Sequence, residues 1–446
     1  MGAKIRVTQL HPTKLAILDV AMAELDRRGQ GGFRVARVIE ESNSSYSSLY
    51  HHFGSREDLI REAYAARFVR TTRDSVPLIV GLIDNVETSS QLFDVLASFI
   101  SLNVNDAKMK IERRHRIEVL GFAMTDPDLM IRIGTSQREA LEAMVSSLRG
   151  AQRRGLICKD LDVGTYVVWL VGMQLGSVLA EIDPLVGDDL SAWNKCATLA
   201  FLQPLVCDGS PICWSSSWEW KGPAHERAQP TSIALATADD LSDVRGEVSH
   251  PTKRALLERT KHLLVTGGEE SLRLPMILEG IDTSVTSIYH FFGSRESLIE
   301  AASAELFVSE SQQLLDAFEL AMNYTHSFDE FFLFMEIVIK LNANHDELIR
   351  RRRTRLQVLG TAMLRPKLLA SVVRDQRLFT SRFGQIGESA KGRGLVRSDL
   401  DCEAAALWLQ ATQFGHILTE LNPALYDQDV WVQLTCQGVK TVFAPD

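Results

Sequence analysis

The chain has 446 residues, 45% hydrophobic and 24% charged, with a formal net charge of −9. That length has room for about three domains, and either half can bury a core. No stretch approaches the ~20 apolar residues of a membrane span, Met1 to Leu10 lacks the apolar run of a secretory signal, and the acidic balance argues against a surface coated in base while leaving room for a local basic face. The cysteines Cys158, Cys196, Cys207, Cys213, Cys402 and Cys436 form no C-x-x-C pair and sit near no histidine at metal spacing. They read as reduced thiols of a cytoplasmic protein without metal or cofactor.

Apolar positions recur at helical spacing and no useful length alternates as a strand does, so the expected fold class is all-α. From Thr13 to Arg28, the residues Leu15, Leu18, Ala21, Met22 and Leu25 fall on one face, with Thr13 as N-cap and Gly29 as terminator. Short helices are predicted near Val35 to Glu41 and Ser45 to His51. Ser55, with Asp58 three residues on, has the pattern of a capping box opening a long helix, which Pro77 ends or kinks. Amphipathic stretches follow at 89–105, 108–124, 128–153, 162–182 and 189–205, punctuated by Asp126-Pro127 and Asp183-Pro184, for about nine helices.

The series then repeats. His11-Pro12-Thr13-Lys14 recurs as His250-Pro251-Thr252-Lys253, a shift of 239 positions (from 11 to 250). The same shift carries Tyr50-His51 onto Tyr289-His290, Gly54-Ser55-Arg56-Glu57 onto Gly293-Ser294-Arg295-Glu296, Trp169 onto Trp408, and Asp183-Pro184 onto Asn422-Pro423. One constant offset over a unit far longer than a solenoid repeat implies duplication of a whole protein. Between the copies, 208–243 has Gly, Pro, Ser and Ala without a sustained period and reads as a linker. Its Trp214, Trp218 and Trp220 fit docking on a helical face or a partner-binding patch. The expected division is a head at 8–60, a body at 61–207, the linker, a head at 247–299 and a body at 300–446.

Short helices with a tight turn before a long helix describe a helix-turn-helix head on a helical body. The informative stretch is Ser44-Ser45-Tyr46-Ser47-Ser48-Leu49-Tyr50-His51-His52-Phe53-Gly54-Ser55-Arg56-Glu57-Asp58-Leu59. Its second copy is Thr283-Ser284-Val285-Thr286-Ser287-Ile288-Tyr289-His290-Phe291-Phe292-Gly293-Ser294-Arg295-Glu296-Ser297-Leu298. Both closely resemble the TetR family of bacterial transcriptional regulators, in two tandem TetR-like repeats. Small residues at Ser44, Ser45, Ser47 and Ser48, or Thr283 and Ser284, let a recognition helix approach a DNA backbone. Leu49 and Phe53 would lock that helix to the first. Tyr46 and Ser47, and Val285 and Thr286, are placed to reach base edges. The resemblance implies phosphate contacts at Tyr50, His51, Tyr289 and His290, and a basic residue at Arg56 and Arg295. His52 and Phe291 read as packing residues.

The stretches also depart from the family pattern. Asn43-Ser44 and Asp282-Thr283 stand where a Gly-Val turn is common, although Asn and Asp tolerate a left-handed turn. Arg34 and Arg273 replace a common capping Thr. Residues 4–70 hold 11 bases and 8 acids, a net of +3, whereas 243–309 hold 7 bases and 10 acids, a net of −3. Because phosphate neutralisation dominates DNA affinity, the first head should bind more strongly.

By the same resemblance, 162–205 and 401–443 pair with each other and the middle helices enclose an effector pocket. Gly172, Gly176, Ala411 and Gly415 permit close helix approach. Trp169 with Gln174, and Trp408 with Gln413, are candidates for the pocket or for the seam. The clusters Arg113-Arg114-His115-Arg116 and Arg352-Arg353-Thr354-Arg355 fit surface ion pairs, an anionic effector or a contact with a head. His262, His326, His345 and His416 read as satisfied structural residues. The resulting expectation is a non-enzymatic, ligand-responsive repressor of a double-stranded DNA operator, controlled by a small-molecule effector and acting as a single-chain pseudo-dimer. The alternative is a helical sensor or interaction module whose second head, or both, is degenerate.

Overall fold

The computed structural model describes residues 11–29, 32–182, 190–206, 250–267, 272–421 and 426–445, and every regular element among them is helical. The linker at 208–243 with its three tryptophans, Cys207 and Cys213, and the pairs Asp183-Pro184 and Asn422-Pro423 lie outside the described residues. The first half comprises α1 (Pro12–Arg28), α2 (Val35–Glu41), α3 (Tyr46–Phe53), α4 (Arg56–Asn85), α5 (Ser89–Asn105), α6 (Ala107–Ala123), α7 (Pro127–Arg153), α8 (Val163–Gly176), α9 (Val178–Glu181) and α10 (Ser191–Leu202). The second comprises α11 (Pro251–Gly267), α12 (Leu274–Leu278), α13 (Val285–Phe292), α14 (Arg295–Asn323), α15 (Phe328–Asn344), α16 (Asp346–Ala362), α17 (Pro366–Gly392), α18 (Cys402–Gly415), α19 (Ile417–Glu420) and α20 (Gln428–Phe443). From α11 to α19, each helix starts 239 positions after its counterpart, as Pro251 does after Pro12.

Local chemistry explains the boundaries and corrects several expectations. The cap of α1 is His11, whose imidazole accepts the Thr13 N–H at 3.3 Å, so Thr13 itself is not the cap. Gly29 ends α1 at φ 63°, with its N–H on the Leu25 carbonyl. Ile17, Leu18, Ala21 and Leu25 form the buried face of α1, while Leu15 is exposed. Ser55 caps α4 by accepting the Asp58 N–H at 3.0 Å, but Asp58 returns to the Ser55 hydroxyl instead of the cap backbone. Pro77 does not end α4, which continues to Asn85. A proline within a helix costs about 3 kcal/mol; α4 packs lengthwise on α7, and that tertiary contact outweighs it. The stretch expected at 162–182 breaks at Ser177 into α8 and α9, and its counterpart breaks at His416, so each described half has ten α-helices instead of nine.

The halves meet along α8 with α18, flanked by α10 and α20, and again where α6 crosses α16. A Cβ on Gly172 would lie 2.7 Å from the Gly415 carbonyl oxygen, and one on Gly176 would lie 1.9 Å from that of Ala411. At the other crossing, a Cβ on Gly121 would fall 2.9 Å from Gly360 Cα. The Trp169 indole donates to Thr435 Oγ1 at 3.0 Å, and that of Trp408 lies 3.1 Å from Met173 Sδ. Val163–Glu181 is, by length and composition, apolar enough to cross a membrane, which corrects the reading that no stretch is; 94% of its apolar window is buried inside the protein.

The two arginine clusters also depart from expectation, because Arg113, Arg116 and Arg352 are buried and not at the surface. Arg113 donates to Glu181 at 2.6 Å and to the Asn103 carbonyl at 2.6 Å. At the matching positions Arg352 binds Glu420 at 3.0 Å and the Asn342 carbonyl at 2.8 Å. Arg116 lies over the Phe68 ring and Arg355 over Phe307. The histidine expectation also needs correction. His262, His326 and His345 are exposed, but His416 is buried 4.0 Å from the Trp431 ring centroid, and neither ring nitrogen has a hydrogen-bond partner among the described residues.

Two outcomes follow from the seam. Replacing Gly176 by Val drives a branched side chain into the Ala411 backbone, which cannot rotate away. Overpacking costs about 1–3 kcal/mol where side chains can adjust, so Gly176→Val should lower stability by at least the upper figure in urea unfolding. Burial, and then Arg352, push His416 well below the ordinary histidine value of 6.5. The fold therefore holds the neutral form, and the unfolded chain binds the extra proton below that value. Stability present above pH 6.5 should fall as pH drops through it. The His416→Ser variant, which carries the residue found at Ser177, should show a shallower acid slope in thermal unfolding monitored across pH.

Candidate nucleic-acid interface

The first head is α1 to α3 with the start of α4. Leu49 and Phe53 are buried against the head, which fixes which face of α3 looks outward. Asn43 takes φ 48° in the turn before α3, the left-handed conformation its side chain tolerates. Ser45 caps α3 by accepting the Ser48 N–H at 3.1 Å. The outward face carries Ser45, Tyr46, Ser47, Tyr50 and His51, all exposed, with Ser44 and Ser48 half-buried at its edge. Two large aromatic residues on the outer face of a short helix, Tyr46 at 51% exposure and Tyr50 at 47%, have no packing role to account for them.

The second head repeats the pattern position by position. Ile288 is buried, while Ser284, Val285, Thr286, Tyr289 and His290 are exposed, and Thr283 is half-buried with its hydroxyl on Ser287 at 2.7 Å. Its turn is built differently. The positive φ belongs to Gly280 at 78°, not to Asp282, because α12 stops at Leu278 while α2 reaches Glu41. Ser284 makes no side-chain cap bond. Arg34 and Arg273 likewise precede their helices without capping them.

Arg56 and Arg295 are half-buried and turned partly toward their own heads. Arg56 reaches the Phe33 carbonyl at 3.4 Å and Glu57 at 3.3 Å, and Arg295 reaches the Leu272 carbonyl at 2.8 Å and Glu296 at 3.2 Å. Each retains an exposed part at the N-terminus of a long helix, where orphan N–H groups and the helix dipole favour an anion. His52 and Phe291 pack on His11 and His250, with ring centroids 5.2 and 4.7 Å apart. Burial and the neighbouring His11 and His51 lower the His52 proton affinity. The Lys14 ammonium lies 5.3 Å from the Phe53 ring centroid and Lys253 lies 5.9 Å from that of Phe292. These lysines belong to the repeated His-Pro-Thr-Lys tetrad. The tetrad starts the first helix of each head beside the recognition helix.

The proposed ligand residues separate into two groups. Trp169 is fully buried, stacked on Phe201 with centroids 5.3 Å apart, and Trp408 is fully buried beside Met173, so both tryptophans belong to the seam. Gln174 is buried, with its amide nitrogen unpartnered among the described residues. Gln413 lines a cavity in the second body.

The family model described as bacterial regulatory proteins, tetR family, matches residues 17–63, which is α1, α2, α3 and the first turns of α4. The chain is 22% identical over 176 residues to the HTH-type transcriptional regulator UidR of Escherichia coli (strain K12), covering 40% of this chain and 84% of that protein. UidR of Shigella flexneri gives the same figures. Leu49 and Phe53 lock α3 with its polar-aromatic face outward, and residues 17–63 are a TetR-family helix-turn-helix domain of an all-α, DNA-binding transcription regulator.

Proposed function

We propose that the chain is a ligand-responsive repressor in which a whole TetR-like unit has been duplicated, and that it acts as a single-chain pseudo-dimer on a double-stranded DNA operator. The observation that carries the reading is the matched outer faces of α3 and α13, each with an exposed Tyr-His pair one turn after two exposed positions that differ between the heads. Reciprocity in the seam supports the pairing. Gly172 meets Gly415 and Gly176 meets Ala411, and under the shift of 239 Gly415 is the counterpart of Gly176 and Ala411 that of Gly172. A contact in which i meets j and j meets i is the signature of a two-fold, isologous interface. Ligand binding in a body would shift the balance between head arrangements that fit an operator and those that do not.

A second reading has its own support. The shorter α12, the missing Ser284 cap bond and the net −3 of residues 243–309 favour a second head that no longer grips DNA, leaving a regulator with one reader.

Two measurements test these readings. Tyr50, His51, Tyr289 and His290 are exposed, so their replacement by Ala leaves both heads folded. In a gel-shift titration at fixed salt on DNA from the gene's own promoter, Tyr50→Ala with His51→Ala should weaken binding more than Tyr289→Ala with His290→Ala. The opposite ranking would contradict the charge argument. Selection of bound sequences from a random DNA pool should return two unlike half-sites about one helical turn, or a multiple, apart. Tyr46-Ser47 and Val285-Thr286 cannot make the same base contacts, and a wrong base costs about 1–3 kcal/mol. A lone half-site would favour the second reading, and a short perfect palindrome protected by one chain would sink the asymmetric operator.

A further inference from the structure

The outer face of α15 is apolar where its counterpart in the first half is polar. Helical spacing sets Leu333, Ile337 and Leu341 one above the other, and they are 57%, 48% and 46% exposed. Phe334 and Val338 are half-buried beside them. The opposite face, Phe331, Met335, Ile339 and Ala343, is buried and secures α15 to the body. In α5 the positions matching the exposed row hold Asp94, Ser98 and Leu102, above an equally buried Leu92, Leu96, Ile100 and Val104. The helix therefore packs correctly without an apolar outer row. Single exposed apolar residues need no explanation, but a contiguous row of them calls for a covering partner.

The chain carries a segment of matching chemistry within reach. Residues 207–249 contain Trp214, Trp218 and Trp220 and no other Trp, Phe or Tyr, and all three stand in the part nearer Val206. The short 3-10 helix Gln203–Leu205, which leads to Val206, packs on α20. On its other side α20 packs lengthwise on α15, with Phe443 5.6 Å from Phe331 between ring centroids and Gln428 donating to the Ala343 carbonyl at 2.6 Å. Val206 is thus separated from α15 by one helix, about 10–12 Å across with its side chains. Trp214 stands eight positions after Val206, a reach of at most about 26–29 Å. That is enough to pass α20 and arrive at the outer face of α15, and Trp218 and Trp220 reach further.

We propose that Trp214, Trp218 and Trp220 dock on the α15 row of Leu333, Ile337 and Leu341 and fasten the linker to the second body. Indoles suit such a surface, because each buries a large apolar area while its N–H stays at a wet edge. The exposed row has that edge, since the Glu336–Lys340 ion pair at 2.6 Å borders it. Docking leaves 221–249 as the span between the fastened tryptophans and the second head. No residue of either recognition helix takes part, so the docking and DNA binding stand or fall separately.

Acrylamide quenching of tryptophan fluorescence in the full chain tests it. Trp169, Trp193, Trp408 and Trp431 are fully buried, so quenching reports on the other three. The full chain should be quenched little more than a variant carrying Trp214→Phe, Trp218→Phe and Trp220→Phe. Leu333→Asp with Ile337→Ser, which installs the residues of α5, should raise quenching severalfold and shift emission to the red. Should that variant fail to fold, carbene footprinting reads the same contact from the other side. Trp214→Ser, Trp218→Ser and Trp220→Ser together leave the core untouched and should increase labelling of Leu333, Ile337 and Leu341. Ready quenching of the three tryptophans in the unaltered chain, unchanged quenching in the α15 variant, or unchanged labelling in the serine variant would each overturn the docking. So would a dimer in sedimentation velocity that the α15 variant dissolves, since the row would then belong to a second copy of the chain.

Discussion

The close approach of α8 to α18 is the constraint on which the rest of the structure depends. Helix axes separated by ordinary side chains lie about 8–10 Å apart, and the glycines at 172, 176 and 415 allow backbone to touch backbone instead. At that separation the large side chains can sit only to either side, and Trp169, Trp193, Trp408 and Trp431 do, each fully buried. The indole of Trp169 then finds Thr435 across the seam, and that of Trp408 finds Met173. The same approach brings α6 and α16 together at Gly121 and Gly360, a contact that no pattern in the arginine-rich sequence of those helices announces.

From the seam, charge carries order outward. Arg113 ties α6 to Glu181 of α9, and Arg352 ties α16 to Glu420 of α19. Breaking a buried pair of this kind by removing one partner costs about 3–5 kcal/mol, so the arginines fix the middle helices to the seam more firmly than surface pairs would. Beyond them the halves diverge. In the first, Arg67 of α4 joins Asp26 of α1 at 2.6 Å and Glu118 of α6 at 3.0 Å, and Arg70 joins Asp26 and Glu112. Head and body there are connected by a charged network. In the second half those positions hold Leu306, Val265 and Gln357, and Gln357 donates to the Leu264 carbonyl at 3.0 Å. The first head is thus joined to its body through a network centred on Arg67 and Arg70, and the second through the Gln357 hydrogen bond and the Lys261–Glu305 ion pair at 3.2 Å.

The helices were legible because amphipathic period and punctuation are local properties; 89–105 is recovered as α5 residue for residue. The outer face of α3 was legible for the same reason, since Leu49 and Phe53 determine by spacing which side is inside. What failed depended on distant neighbours. Pro77 is tolerated because α7 lies alongside α4, which sequence near Pro77 does not encode. Arg113 and Arg352 looked like surface charge because their partners are 68 residues further on. Trp169 and Gln174, and Trp408 and Gln413, share a helix and were grouped together, yet the tryptophans face the seam while Gln413 lines a cavity. The left-handed residue of the second turn moved from Asp282 to Gly280 because α12 ends early, and short helices end where packing releases them, not where propensity does.

The difference between the heads has an electrostatic consequence that the fold sharpens. A chain of net charge −9 repels DNA at long range, so approach depends on which basic groups reach the surface near the recognition helix. In each head some of those groups are committed within the head, while Arg34 and Arg273 are exposed at the starts of α2 and α12. Lys14 and Lys253 lean over phenylalanine rings, and Arg56 and Arg295 share themselves with carbonyls and a neighbouring glutamate. Under the proposed reading, neutral donors such as the serine and tyrosine hydroxyls and helix N–H groups would add phosphate contacts to those of the basic side chains. Binding built this way depends less steeply on salt than binding built on lysine and arginine, because the slope of affinity with salt follows the number of phosphates neutralised. Under the same reading, discrimination would fall to shape and to the exposed residues Tyr46 and Ser47 in one head and Val285 and Thr286 in the other.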